Sequence, residues 1–211
     1  MLGIIEHKQP DRIRLRASAG RFNFSFNNAK NRFWIFPAGT VLYSDGVTAI
    51  ATSTAQQPDV TIPAGGGDVW LRANFGGNFS MNDNNTDAGY VGALADLQGK
   101  ITYFLRLANC AHVTGDLSDL QGKITHYLDL SKCANVTGVY TPVGAGTPTI
   151  TALSNTGLSA TDMDNTLIAY AAATKNNGSF TATGMTRTAA SDAAVATLTG
   201  RGWSISGITK V

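Results

Sequence analysis

The chain has 211 residues, of which 43% are apolar and only 14% charged, with a formal net charge of +2. That length can bury one sizeable core or two small ones, while the charge falls well below the roughly 25% of an ordinary soluble domain. No run approaches the ~18 apolar residues of a membrane span, so membrane insertion is not expected. The small net charge hides an asymmetry. Up to Arg32 there are seven Lys/Arg against two acids, so +5, whereas the remainder carries nine basic and twelve acidic residues, so −3.

The N-terminus, MLGIIEHKQPDR, lacks the long apolar core and small-residue cleavage site of a secretory signal. The expectation is either a signal already removed or release from the cell without one. Residues 1–80 read as a β-rich module. Arg12-Ile13-Arg14-Leu15-Arg16 alternates strictly, setting Arg12, Arg14 and Arg16 on one face and Ile13 and Leu15 on the other. Phe22–Phe26 alternates in the same way, and Phe33–Phe36, Val41–Tyr43, Val47–Ala51, Val60–Ile62 and Val69–Arg72 read as further short strands. Ser44-Asp45-Gly46 and Pro63–Gly67 supply turns between them. This spacing predicts a small all-β sandwich or barrel. The three-arginine face reads either as a solvated or charge-protected sheet edge or as a docking surface for an acidic protein subunit. With few aromatics to place beside it and a modest charge excess, nucleic acid is not the expected partner.

Residues 81–91 belong to a Gly/Asn-rich linker. Asp83-x-Asn85-x-Asp87 spaces oxygen ligands as a calcium loop does, but the glycine comes one place late at Gly89 and the twelfth position is Leu94. An Asn/Asp-rich turn is the simpler reading, and no metal or other cofactor is expected.

From Gly92 the sequence says the same thing twice. Gly92–Thr114 reads GALADLQGKITYFLRLANCAHVT and Gly115–Thr137 reads GDLSDLQGKITHYLDLSKCANVT, with 15 of 23 positions identical and no gap. A period of this size marks a stack of units, each burying its apolar face against the next. Cys110 and Cys133 occupy equivalent positions and would stack roughly 5 Å apart, the strand spacing. A reduced, buried ladder and a disulfide both remain open. Two longer, divergent units follow: Leu153–Thr161 aligns with Phe180–Thr188 at an offset of 27. Behind the first, Met163, Leu167, Ile168 and Ala171 recur with helical spacing after the cap candidates Ser159 and Thr161. Behind the second, Ala190, Ala194, Val195 and Leu198 recur similarly, with Gly200 or Gly202 as the stop. Pro142–Pro148 reads as a loop or an irregular turn of the stack. Gly202–Ser206 reads as a last strand, with Trp203 closing the open end.

The motif Leu105-x-Leu107-x-x-Cys110, repeated as Leu128-x-Leu130-x-x-Cys133 and followed each time by Val-Thr-Gly, resembles the leucine-rich repeat. The resemblance covers about residues 92–211 and implies a short parallel strand at each Leu-x-Leu. The hydroxyl-rich repeats and the closing Arg-Gly-Trp-Ser-Ile also resemble leucine-rich-repeat proteins of gut Bacteroidetes surfaces and of their phages. The expected fold is therefore mixed: an N-terminal all-β sandwich or small barrel over 1–80, then a short α/β leucine-rich-repeat solenoid of about four units over 92–211.

With the leucines inward, alternation sends Phe104, Arg106 and Ala108 outward on one unit and Tyr127, Asp129 and Ser131 outward on the next. The 23-residue register makes Phe104 and Tyr127 neighbours, and Arg106 and Asp129 neighbours. Ala152, Ser154, Ser179 and Thr181 should continue the face. These pairs either hold the stack in register or form a binding face of Phe104, Arg106, Tyr127, Asp129, Ser131, Ser154 and Thr181 for a glycan or a protein. His126 is expected to tend inward beside Tyr103. Catalysis has little support: the chain contains one glutamate, Glu6, and no nucleophile motif, phosphate loop or metal-spaced histidine cluster. Asp116/Asp119 and Asp162/Asp164 read as acids flanking helix starts. The expectation is a non-enzymatic structural or adhesion protein located in a virion, or else at the cell surface. Its partners would be assembly subunits or a host-surface protein or glycan, and homo-oligomerisation is possible.

Overall fold

The computed structural model describes residues 12–17, 41–43, 49–52, 67–72, 78–80, 92–99 and 101–211. In the first part, strands β1 (Arg12–Ala17), β2 (Val41–Tyr43), β3 (Ala49–Thr52) and β4 (Gly67–Arg72) form an antiparallel sheet in the order β1-β4-β2-β3. Arg12, Arg14 and Arg16 take alternate positions of β1, with Cα partners Arg72, Trp70 and Asp68. The expected strands at Phe22–Phe26, Phe33–Phe36 and Val60–Ile62, the linker 81–91 and the calcium-like Asp83–Asp87 lie outside the described residues.

The second part is built from parallel sheets with helices alongside. A six-stranded sheet runs β13-β12-β11-β9-β7-β5, from β5 (Asn78–Ser80), β7 (Phe104–Arg106), β9 (Tyr127–Asp129), β11 (Ile150–Ala152), β12 (Ser179–Arg187) and β13 (Ser204–Lys210). Every neighbouring pair is parallel. A smaller parallel sheet joins β6 (Gly92–Ala93), β8 (Val113–Asp116) and β10 (Asn135–Thr137). The parallel sheet thus begins at β5, before the repeated sequence does.

The 23-residue register holds between β7 and β9, where Phe104 lies beside Tyr127, and holds again between β9 and β11, where Tyr127 lies beside Ile150. A third unit of full 23-residue length therefore starts at Gly138 and contains the Pro142–Pro148 stretch. The next step is longer: Ile150 lies beside Ser179, 29 positions on, which corrects the 27-residue alignment of these two units. A bulge between Thr181 and Met185 then shifts the pairing with β13.

The interior explains the pitch. Leu105, Leu107 and Val113 in one unit, and Leu117, Leu120, Ile124, Leu128, Leu130 and Val136 in the next, are all at most 3% exposed. Both cysteines are buried thiols, and Cys133 donates to the Leu107 carbonyl at 3.0 Å. Burial, with Cys110 beside it, pushes the Cys133 thiol well above its ordinary pKa. Thr156 and Met185 continue this column, with the Thr156 hydroxyl 3.0 Å from the Leu153 carbonyl and 3.7 Å from the Met185 sulfur.

Beyond β9, aromatics replace the leucine columns. Tyr140, Tyr170 and Phe180 are fully buried or nearly so, and Trp203 is 3% exposed. Tyr170 meets the rings of Phe180 and Trp203 edge-on at 5.3 and 5.7 Å. Each polar tip finds a partner. The Tyr140 hydroxyl accepts from Ile124 N at 2.9 Å and lies 3.0 Å from the Gly146 carbonyl, Tyr170 bonds Thr151 at 2.8 Å, and Trp203 Nε1 donates to Lys175 O at 3.0 Å. Trp203 is thus wedged inside, ahead of β13.

Helix α1 (Ala160–Ala172) starts at Ser159, whose hydroxyl accepts from Asp162 N while the Asp162 carboxylate accepts from Ser159 N. Met163 and Leu167 are buried, but Ile168 is 43% exposed and so leaves the expected apolar stripe. Helix α2 (Asp192–Gly200) buries Ala194 and Leu198, while Ala190 is exposed in a short 3-10 turn ahead of it. Gly202, with φ of 81°, follows.

One of the four expected capping acids behaves differently. Asp116 and Asp119 form a capping box at the 3-10 turn Leu117–Leu120, but Asp164 caps nothing on its own helix. It is 3% exposed and accepts from Thr188 Oγ1 and Ser191 Oγ, both at 2.6 Å, and from Thr188 N at 3.0 Å. It therefore ties α1 to the following unit. Burial alone would raise its pKa, but the hydrogen bonds from Ser191 and Thr188, helped by Arg187, outweigh burial and lower it. A carboxylate whose folded pKa is depressed contributes stability above its unfolded value, near 3.9, and loses it as pH falls through the folded value. The melting temperature is expected to fall below about pH 4, and Asp164→Asn should flatten that fall while lowering the neutral-pH stability by about 2 kcal/mol. Thermal melts across pH 2–7 on both proteins check this.

The glycine of the second Val-Thr-Gly is demanded twice. Gly138 has φ of 79°, and a Cβ there would sit 1.9 Å from the carboxylate of Asp116, which accepts from Ser118 N at the cap. Gly138→Ala should cost about 2 kcal/mol, the sum of a left-handed alanine and a lost cap. Gly144→Ala, at φ of 60° with nothing within 4 Å, should cost about half as much, and urea unfolding of both variants measures the difference.

Candidate functional site

The outward rows of the six-stranded sheet follow from its register. One row reads Phe104, Tyr127, Ile150, Ser179, Ser204 and the next Arg106, Asp129, Ala152, Thr181, Ser206. The inward row between them is Leu105, Leu128, Thr151, Phe180 and Ile205, which places the two outward rows on the opposite side of the pleat.

Phe104 and Tyr127 stack with ring centroids 4.6 Å apart and planes 13° off parallel. That separation matches the distance between strands, so the rings meet face to face along the strand-to-strand direction and turn their edges to solvent. Beside them, Arg106 Nε lies 3.4 Å from Asp129 Oδ2. Asp129 also accepts from Ser131 N at 3.0 Å and from the Tyr127 hydroxyl at 3.4 Å. Asp129 is only 6% exposed: its strand position is outward, but these partners close over it. Burial raises the Tyr127 pKa, the Asp129 carboxylate adds to the rise, and Arg106 opposes it.

The other expected residues lie further along. The Ser154 hydroxyl accepts from Thr183 N at 2.9 Å, and the Thr181 and Ser206 hydroxyls are 3.1 Å apart. Ser131 is half-buried. Phe104, Arg106, Tyr127 and Asp129 thus form one connected cluster, with Ser131 bonded to it through its backbone, while Ser154 lies in the turn after β11 and Thr181 on β12. Arg12, Arg14 and Arg16 belong to the separate antiparallel sheet.

Three surface features were not anticipated. Ile150, 37% exposed, stands directly in line with the aromatic pair. Ser206 extends the hydroxyl row. His126 turns outward and stacks on Tyr103, which is 47% exposed, at 4.8 Å and 14°. Tyr103 and His126 precede their strands, where alternation no longer dictates direction. The 23-residue alignment that pairs them was the available signal.

Among the described residues no group of three or more His, Cys, Asp or Glu is placed to hold a metal ion, and no helix is long and apolar enough to cross a membrane. No family model, curated protein or solved structure matches the chain.

Proposed function

We propose that this chain is a non-enzymatic recognition protein, a leucine-rich-repeat solenoid whose outward strand rows form a binding face. The observation that carries the reading is the connected cluster of Phe104, Tyr127, Arg106 and Asp129, held at fixed spacing on a sheet whose other side is packed core. A rigid, side-chain-rich face of this kind binds with little ordering cost. The low charge and hydroxyl-rich composition, with the resemblance to phage and surface proteins, support a place in a phage virion as a decoration, fibre or tail appendage. Arg12, Arg14 and Arg16 on β1 then serve to dock the chain onto an acidic subunit. A bacterial cell-surface protein that binds a host protein or glycan is the alternative; capsid or tail genes beside this one would favour the virion, and an upstream lipoprotein signal would favour the cell surface.

Mass spectrometry of purified particles is expected to find the chain, and its absence from them contradicts the virion assignment. For the face, Phe104→Ala combined with Tyr127→Ala should weaken binding of the labelled chain to host cells at least tenfold. The stacked pair contributes only about 0.5–1.5 kcal/mol to stability, so the melting temperature should drop by only a few degrees. A large drop with cell binding intact would make the pair a register device.

A further inference from the structure

The two outward rows change height partway across the sheet. On β7 and β9 they carry Phe104, Arg106, Tyr127 and Asp129, whereas on β12 and β13 they carry only Ser179, Thr181, Ser204 and Ser206. Between the two halves lies β11, where Ala152 contributes a single methyl group beside Asp129 and Thr181. The low point, a step beside the aromatic wall, is therefore confined to the Arg106 row, where Ala152 lies between Asp129 and Thr181, while Ile150 stands beside Tyr127 in the other row.

The wall is a ring face. Phe104 covers one face of Tyr127 from the β7 side at 4.6 Å and 13°. Because the strand order is β7-β9-β11, the second face of Tyr127 is turned toward β11. The Tyr127 hydroxyl reaches Asp129 at 3.4 Å, so the ring leans along the strand toward the position opposite Ala152. Ile150, the register neighbour of Tyr127 on β11, borders that face as an apolar contact and is 37% exposed. At the corner, Asp129 keeps 8% of its side chain exposed. Each of its carboxylate oxygens has two lone pairs, so acceptor capacity remains beyond the bonds it already makes. From the β9 row to the β12 row is two strand intervals, roughly 9.5 Å. That is enough for one saturated six-membered ring standing against Tyr127, with Thr181 and Ser179 on its other side.

Charge narrows the class of ligand. Among the ten positions of the two rows on β7, β9, β11, β12 and β13 the only charged residues are Arg106 and Asp129, and they face each other at 3.4 Å. The step offers an aromatic face for C–H groups, one carboxylate acceptor for hydroxyl protons, and serine and threonine hydroxyls that donate or accept. Resting on the reading of this sheet as a recognition face, we propose that the step over Ala152 is a subsite for a neutral hexopyranose unit of a surface glycan. One C–H face of the sugar lies on Tyr127, and its hydroxyls bond Asp129, Ser179 and Thr181.

The test fills the step without touching the wall. Ala152→Phe places a ring where the sugar would stand, on an outward position where it displaces no core atom. The wild-type chain and this variant are applied to a printed array of neutral and acidic glycans, and labelled chains are applied to host cells with and without periodate, which cleaves vicinal diols. Expected are array signals confined to neutral hexopyranose-bearing glycans, reduced at least tenfold in Ala152→Phe with an unchanged melting temperature, and cell binding abolished by periodate. Cell binding that survives periodate, with an empty array, overturns the glycan assignment and points to a protein occupant while the recognition face stands. An array signal that Ala152→Phe leaves unchanged overturns the location. Absence of binding to both array and cells overturns the proposal together with the reading beneath it.

Discussion

Leu107 N bonds Asp129 O at 2.8 Å, Leu130 N bonds Ala152 O at 3.0 Å, and Leu153 N bonds Thr181 O at 2.9 Å. Asn109 N to Ser131 O, Lys132 N to Ser154 O and Asn155 N to Thr183 O repeat the pattern just beyond the strands at 2.7–3.0 Å. This continuous parallel ladder is the constraint from which the rest follows. A slip by one residue would turn Leu105, Leu128 and Phe180 out to solvent and bring the polar rows in, so the buried columns hold the ladder in register. The same register then dictates which outward side chains become neighbours. Stacking of Phe104 on Tyr127 is therefore a consequence of the core as much as of the rings themselves.

The unit behind each strand is adjustable, and the strand is not. Between β7 and β9 a 3-10 turn with an Asp116/Asp119 capping box closes the unit. Between β9 and β11 there is no such turn, and the buried Tyr140 hydroxyl instead bridges the backbone at Ile124 and Gly146. Between β11 and β12 a full helix occupies the space, and Asp164 ties it to the next unit through Thr188 and Ser191. Left-handed residues recur three positions after β7, β9 and β11, at Asn109, Lys132 and Asn155, whereas Gly184 and Gly207 lie within β12 and β13 at the bulge. That conformation costs an ordinary L-residue about 1–2 kcal/mol. Its persistence through three non-glycine positions shows how strongly the turn after the strand is set by the ladder.

The sequence made the first two units legible because they are near-copies, and with them the leucine columns, the cysteine positions and the adjacency of Phe104 with Tyr127 and Arg106 with Asp129. The third unit was hidden because its side chains changed while its backbone path did not. Thr151 replaces a leucine, Thr156 replaces a cysteine, and Tyr140 takes over a leucine column, so a residue-by-residue comparison finds nothing at Pro142–Pro148. The 27-residue alignment of the later units followed a shared Thr-Gly, whereas pairing follows the strand. Burial of Asp164 was not legible either, since Thr188 and Ser191 come from the next unit, and burial of Asp129 depends on Tyr127 and the Ser131 backbone closing over it beside Arg106. Tyr103 and His126 fell just outside the strand, where alternation has no authority. Within the proposed face, the Ala152 step is a property of neighbouring strands and becomes visible only once the third unit is in place.

The 23-residue register governs both core and face, and excision tests it most directly. Removing residues 115–137 deletes one whole unit and brings β7 beside β11, with Leu105 against Thr151 and Phe104 against Ile150. Because contacts run mainly between neighbouring units, the bond from Lys175 Nζ to Thr125 O excepted, the shortened chain should still unfold in one cooperative transition by circular dichroism, at a lower melting temperature. Removing 22 residues, 116–137, breaks the register and should leave no cooperative transition. Equal behaviour of the two deletions would contradict the account.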